Sequence, residues 1–141
     1  MQQAQGTEII HASAVSLGST GILLTGASGS GKSTIALEMM ALGASLVADD
    51  RVVAQPSGEG VLISAPPEIA GRIEARGLGL LQAEPVDAWL AAVVDLDQVE
   101  TKRLPPAREI LIAGRPVRLL HRVETPAFAS MLYVMLSGDQ E

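Results

Sequence analysis

Gly26-Ala27-Ser28-Gly29-Ser30-Gly31-Lys32-Ser33 decides the reading of this chain, because it satisfies G-x-x-x-x-G-K-[ST] at every fixed position. Its flanks agree with that pattern. Gly21 to Thr25 reads as a short buried strand running into the segment, and Ser33 to Leu42 reads as a helix leaving it, closed by Gly43. Strand, glycine-rich loop and helix together predict a phosphate-binding loop, in which successive backbone N–H groups wrap an anion at the positive end of a helix dipole. All eight loop residues, Gly26, Ala27, Ser28, Gly29, Ser30, Gly31, Lys32 and Ser33, are therefore expected to bind a nucleoside triphosphate such as ATP. Lys32 is expected to reach the β- and γ-phosphates, and the Ser33 hydroxyl to ligate Mg²⁺, a hard cation that takes oxygen ligands.

Composition narrows what surrounds such a loop. The chain has 141 residues, room for one domain over 1–141 with residues 1–7 as a flexible lead-in. It is 48% hydrophobic but 2% aromatic, so the core must be built from Ala, Val, Ile and Leu. A net charge of −6 and the scarcity of aromatics argue against a nucleic-acid partner. The absence of cysteine excludes a disulfide framework and a thiol nucleophile. No apolar run reaches the ~18 residues of a membrane span, and Met1 to Gly6 lacks the pattern of a signal peptide. The expectation is a soluble, cytoplasmic protein.

Working outward, Glu8 to Leu17 reads as a strand that turns at Gly18-Ser19 into the strand before the loop. Ala44 to Ala48 reads as a strand ending in Asp49-Asp50, and residues 51–55 and 60–64 as a hairpin around Pro56-Ser57-Gly58-Glu59. Glu68 to Arg76 is either a short helix or a strand. Trp89 to Leu96 reads as a buried strand, with an Ala-rich helix the alternative that periodicity alone leaves open, 109–112 and 116–120 as a last hairpin, and 126–136 as a terminal helix with Thr125 as N-cap and Pro126 at its first position. One strand–helix–strand unit followed by hairpins predicts an α/β fold, a P-loop kinase core whose sheet is mixed and largely antiparallel, with the loop helix packed on one face.

A phosphate loop alone does not name a reaction. Asp50 lies 17 positions after Ser33, at the end of the strand that follows the loop helix. Transfer of phosphate to an alcohol needs a metal clamp and a carboxylate that accepts the hydroxyl proton, and the two adjacent acids can divide those tasks. Strand alternation predicts that they point to opposite faces, one toward nucleotide and the other serving structure. No N-K-x-D segment supports a GTPase. Leu136-Ser137-Gly138-Asp139-Gln140 is close to the L-S-G-G-Q signature of ABC ATPases, but it ends the chain and no strand with a terminal acid follows.

The segment around His11, the phosphate loop, Leu46-Val47-Ala48-Asp49-Asp50-Arg51-Val52 and Ile73-Glu74-Ala75-Arg76-Gly77-Leu78-Gly79-Leu80-Leu81 together resemble the catalytic domain of bacterial HPr kinase/phosphorylase, whose signature reads L-E-I-R-G-L-G-I-I. The resemblance covers roughly residues 8 to 112. It implies Mg-ATP-dependent phosphorylation of a serine of the phosphocarrier protein HPr, which regulates the sugar phosphotransferase system, with a reverse, phosphorolytic step. It implies Lys32 as the phosphate-binding lysine, Ser33 and Glu74 as magnesium ligands, Asp50 as proton acceptor and donor, and His11 and Arg103 as further catalytic residues. It also raises a homo-oligomer. Taken alone, Glu74 beside Arg76 reads as a surface charge pair, and His11 in an apolar strand as a core histidine. His121 matches nothing in the family and reads as a surface or turn residue.

The chain departs from the family pattern in four places. Only ten residues precede His11, Ala12 stands where the family has glycine, the basic Pro/Gly loop of the phosphorolytic step is not recognisable in residues 119–125, and the C-terminal helical portion is short. Kinase activity is expected ahead of phosphorolysis. The alternatives are a non-catalytic ATP-binding regulatory protein and a kinase with another acceptor.

Overall fold

The computed structural model describes residues 6–138. Residues 1–5, most of the expected flexible lead-in, lie outside them, as do the last two residues of the Leu136–Gln140 sequence. Eleven strands and two helices follow in the order β1 (Glu8–His11), β2 (Ser13–Leu17), β3 (Thr20–Thr25), α1 (Lys32–Leu42), β4 (Ser45–Ala48), β5 (Arg51–Ser57), β6 (Gly60–Ser64), β7 (Arg72–Ala75), β8 (Gly79–Gln82), β9 (Ala88–Val99), β10 (Glu109–Ile112), β11 (Arg115–Arg122) and α2 (Phe128–Gly138).

Nine strands form one mixed sheet, with the path β1-β5-β6-β9-β3-β2-β4 and β11 and β10 continuing from β9. Most pairings are antiparallel, but β3 and β11 both run parallel to β9. Period-2 alternation sends side chains of the central strands to two cores. Val15, Ile22, Leu24, Ala92 and Val94 meet Ala36 and Met39 of α1 and Leu132 and Leu136 of α2. Ala14, Leu23 and Val93 face the other way, onto Val47, Val52, Ile63 and Val117 of the curled sheet. Both helices therefore cover one face, and the sheet's own curl closes the other.

Several local expectations need correction. The strand read over 8–17 is broken at Ala12, so β1 pairs with β5 while β2 forms the hairpin with β3. Pro56 is not in the turn but pairs with Val61, beyond the end of β1, where its missing N–H costs no ladder bond. Residues 68–76 resolve into a 3-10 turn at Pro67–Ile69 and then β7, which pairs with β8 in a separate two-stranded hairpin. The terminal helix starts at Phe128 rather than Pro126, because Thr125 first organises a turn, its Oγ1 accepting the Ala127 N–H at 3.2 Å.

Gly43 ends α1 as expected. Its φ is 120°, and its N–H and that of Ala44 cap the carbonyls of Met40 and Met39 at 3.0 Å each. A Cβ there would lie 2.9 Å from the Tyr133 hydroxyl of α2. Gly43→Ala is expected to lower stability by roughly 1–2 kcal/mol through left-handed strain. Urea denaturation checks this, and Tyr133→Phe in the same background should recover only the part owed to the hydroxyl.

Candidate functional site

β3, β9 and β11 run parallel and bring Thr25, Asp95 and His121 into one row at the same edge of the sheet. The Gly26–Ser33 loop leaves β3 there and turns tightly, with the Ser30 N–H bonded to the Ala27 carbonyl at 2.9 Å. A side chain at Gly26 is disfavoured both by its φ of 147° and by close approach, since a Cβ would stand 2.6 Å from Ser30 Oγ and 3.0 Å from Ser30 Cβ. The loop forms one wall of an open cleft of about 630 Å³. Of the expected site residues, His11, Ser28, Gly29, Gly31, Lys32, Ser33, Asp50 and Glu74 line this cleft together with Asp49. Gly26, Ala27 and Ser30 make the body of the loop behind it.

Lys32 is buried, and its Nζ donates to the carbonyls of Gly26 at 2.7 Å and Ala27 at 3.1 Å. The ammonium thus lies folded back against the loop.

The two acids depart from the expected division. β4 ends at Ala48 and β5 begins at Arg51, and Asp50 between them has φ 79°. This left-handed turn removes strand alternation, so both carboxylates line the same cleft. Asp49 Oδ1 accepts the hydroxyls of Ser13 at 2.6 Å and Ser33 at 2.9 Å. Ser13 is buried and its hydroxyl is satisfied by this bond. Asp50 instead meets His11, with Nε2 and Oδ1 3.1 Å apart, because the β1–β5 register sets His11 opposite Arg51. The His11 side chain is 61% exposed, which rejects the core-histidine alternative. Arg51 Nε lies 3.8 Å from the other Asp50 oxygen.

Glu74 stands on β7 across from the loop. Strand alternation puts Arg72 and Glu74 on the exposed face with Arg76 following them, while Ile73 and Ala75 are buried, so all three charged residues line the cleft. Arg103 does not join this cleft. It lies in the segment after β9 and lines a second groove with Lys102, His121 and the Phe128 and Met131 face of α2. His121 itself belongs to β11 and is not in a turn.

Beside that groove Arg108 holds Glu100 in an ion pair. The Arg108 hydrogen bond keeps the Glu100 carboxyl below its ordinary value, against a desolvation that pushes upward, and the Lys102 N–H and the charges of Arg108 and His121 add to the lowering. A depressed folded value contributes stability above the unfolded value, which is lost as pH falls through the folded one. Glu100→Gln is therefore expected to melt below wild type at neutral pH, with the gap closing as pH falls below the usual glutamate range. Paired melting curves across that range check it.

Sequence reasoning missed Asp49 as the Ser33 partner, although the Asp-Asp pair was its signal. It also missed Asp97 and Arg122. Asp97 accepts the Ala27 N–H through both oxygens, at 2.9 and 3.1 Å, and Arg122 donates to the Ser30 carbonyl.

Comparison with known proteins decides the family. Residues 2–87 match the family described as HPr Serine kinase C-terminal domain. The chain belongs to that family. The matched span of the HPr serine kinase C-terminal domain family contains His11, the loop, both acids and Glu74, and stops before Arg103. An HPr kinase/phosphorylase of Geobacillus sp. is 43% identical over 76 residues, 53% of this chain and 24% of the relative. One from Prosthecochloris aestuarii is 43% identical over 77 residues, 54% of this chain and 23% of the relative. The chain thus spans about a quarter of the length of these curated relatives. The HPr(Ser) kinase/phosphatase of Coxiella burnetii shares the fold, with a TM-score of 0.77 at 18% identity over 94% of this chain and 90% of that one. This likeness extends through β9–β11 and α2, where the family match is silent. No helix among the described residues is long and apolar enough to cross a membrane.

Proposed function

We propose that this chain, a single P-loop kinase domain over residues 1–141, transfers the γ-phosphate of ATP to a serine hydroxyl of HPr. The observation that carries the reading is the convergence on one cleft of a G-x-x-x-x-G-K-S loop and two carboxylates with different partners, Asp49 on Ser33 and Asp50 on His11. Membership of the family and the names of its relatives support HPr as acceptor. An enzyme with those two substrates works in the cytoplasm.

Each residue has a task set by its surroundings. The loop from Gly26 to Ser33 presents N–H groups at the N-terminus of α1, where anions are favoured. Lys32 exchanges its carbonyl contacts for the β- and γ-phosphates. Ser33 Oγ and Asp49 supply oxygen donors that touch each other already, and Glu74, a carboxylate lining the same cleft, is the third candidate. That donor set fits Mg²⁺, which is held by few protein oxygens together with phosphates and water. When bound, the metal neutralises charge on the transferring phosphate.

Asp50 is the base. A serine hydroxyl is a weak nucleophile until its proton is being taken, and an exposed carboxylate at the cleft mouth can reach an acceptor on another protein. His11 fixes the carboxylate's orientation through one oxygen, while the other, with Arg51 Nε at the looser distance of 3.8 Å, is the one that would take the hydroxyl proton. Arg72 and Arg76 bring positive charge to the opposite wall. Arg103 lines the groove beside α2, and the step is built without it.

The test is incubation of the protein with Mg²⁺, γ-labelled ATP and HPr, followed by phosphoamino-acid analysis. Label recovered as phosphoserine on HPr is expected. ATP-dependent retention of HPr without label would instead establish a nucleotide sensor, and ATP binding with neither would point to another acceptor.

A further inference from the structure

The phosphate loop is not held by its own sequence alone. Glycine-rich backbone is conformationally free, and a loop left free would have to be ordered at the moment of ligand binding. Two side chains from the neighbouring parallel strands remove that freedom. At the end of β9, Asp97 takes the Ala27 N–H with both carboxylate oxygens, and its own N–H is fixed on Asp95 Oδ1 at 2.9 Å. At the end of β11, Arg122 donates Nε to the Leu96 carbonyl at 3.2 Å and Nη2 to the Ser30 carbonyl. The Arg122 main chain is tied in turn by the Glu100 N–H at 2.7 Å. Among the described residues neither Asp97 nor Arg122 forms an ion pair, so both charges are spent on main-chain groups.

We propose that Asp97 and Arg122 are positioning residues that clamp the two limbs of the Gly26–Ser33 loop and so preset its remaining N–H groups for phosphate. Asp97 holds the entry limb at Ala27, and Arg122 holds the exit limb at Ser30, one residue before the helix-capping glycine. A Cβ on that glycine, Gly31, would lie 3.4 Å from Arg122 Nη2, so the guanidinium also fits closely under the turn. Among the described residues the N–H groups of Gly29 and Gly31 take no backbone acceptor, and those of Lys32 and Ser33 open α1, where the first-turn N–H groups have no intrahelical partner, which leaves them for a ligand. Preorganised donors are what makes such a site effective, because no reorganisation is needed when charge arrives.

The inference rests on the nucleotide reading above, and its test separates the two. Amide hydrogen exchange at Ala27, calorimetric binding of Mg-ATP and Mg-ADP, and melting without nucleotide are measured for wild type, Asp97→Ala, Asp97→Asn, Arg122→Met and Arg122→Lys. Asp97→Ala and Arg122→Met are expected to weaken both nucleotides by about tenfold to a hundredfold, the range for a lost charge-assisted hydrogen bond. Ala27 exchange should accelerate in Asp97→Ala. Arg122→Lys, which keeps one donor for Ser30, should recover much of the loss, and Asp97→Asn, which keeps one oxygen for Ala27, should fall between. If Asp97→Ala or Arg122→Met fails to fold, these two conservative variants decide alone. Lower melting with nucleotide affinity unchanged would overturn the clamp and leave a purely structural role. Failure of the wild type to bind nucleotide would overturn the nucleotide reading, and the clamp would still be judged by Ala27, whose unchanged protection in Asp97→Ala would overturn it.

Discussion

Asp50→Asn is expected to keep ATP binding and to lose phosphate transfer by about 10²- to 10⁴-fold, the usual contribution of a general base. The substitution isolates chemistry from folding. Asp50 sits at φ 79°, a region that asparagine tolerates at least as well as aspartate, so the turn between β4 and β5 survives. The amide oxygen can still accept from His11 Nε2, so the cleft wall keeps its shape. What the amide cannot do is take a proton. Asp50→Ala would confound the result, adding left-handed strain to the lost base. Single-turnover transfer with prebound ATP checks the expectation, and a wild-type rate in Asp50→Asn would remove Asp50 from the mechanism.

Lys32→Met should be nearly as damaging by a different route. Methionine approximates the length of the lysine stem but carries no charge, so neither the loop carbonyls nor a triphosphate would find a donor. Removal of one preorganised donor at a site of developing charge typically costs about 10²- to 10³-fold in rate. Binding of Mg-ATP should weaken as well, because this interaction is present before the transition state. The unliganded protein should also melt lower, since the Gly26 and Ala27 carbonyls lose their partner. Calorimetry and transfer rates separate the two effects, and Asp50→Asn should show only the second.

The contrast between these residues shows what sequence could convey. β3, the loop and α1 were legible because each rests on local signals: a short apolar run, fixed glycines, a lysine–serine pair and Gly43 as stop. The hairpins β5–β6 and β10–β11 were legible from turn chemistry. The β7–β8 hairpin was not, because Gly71, Gly77 and Gly79 weakened any periodic pattern and the exposed residues of β8 carry none. Asp49 and Asp50 were legible as a pair but not in their orientation. A left-handed residue at position 50 sends both to one cleft, and an aspartate does not advertise that backbone in advance as a glycine would.

Asp97 and Arg122 were illegible for a stronger reason. Their contacts span 70 and 92 positions of chain and exist because β9 lies parallel to both β3 and β11. No local pattern distinguishes a strand that pairs in parallel with a distant neighbour from one that closes a hairpin. Arg103 shows the converse, a residue placed by resemblance of a loose local segment and found on a groove beside α2 rather than in the cleft.

The most direct measurement is the intact mass of HPr after incubation with Mg²⁺ and ATP in the presence of wild type or Asp50→Asn. One phosphate added to HPr by wild type, with none added by Asp50→Asn at saturating ATP, is the predicted result. An unmodified HPr with wild type that binds ATP, or equal modification by both proteins, would contradict the account.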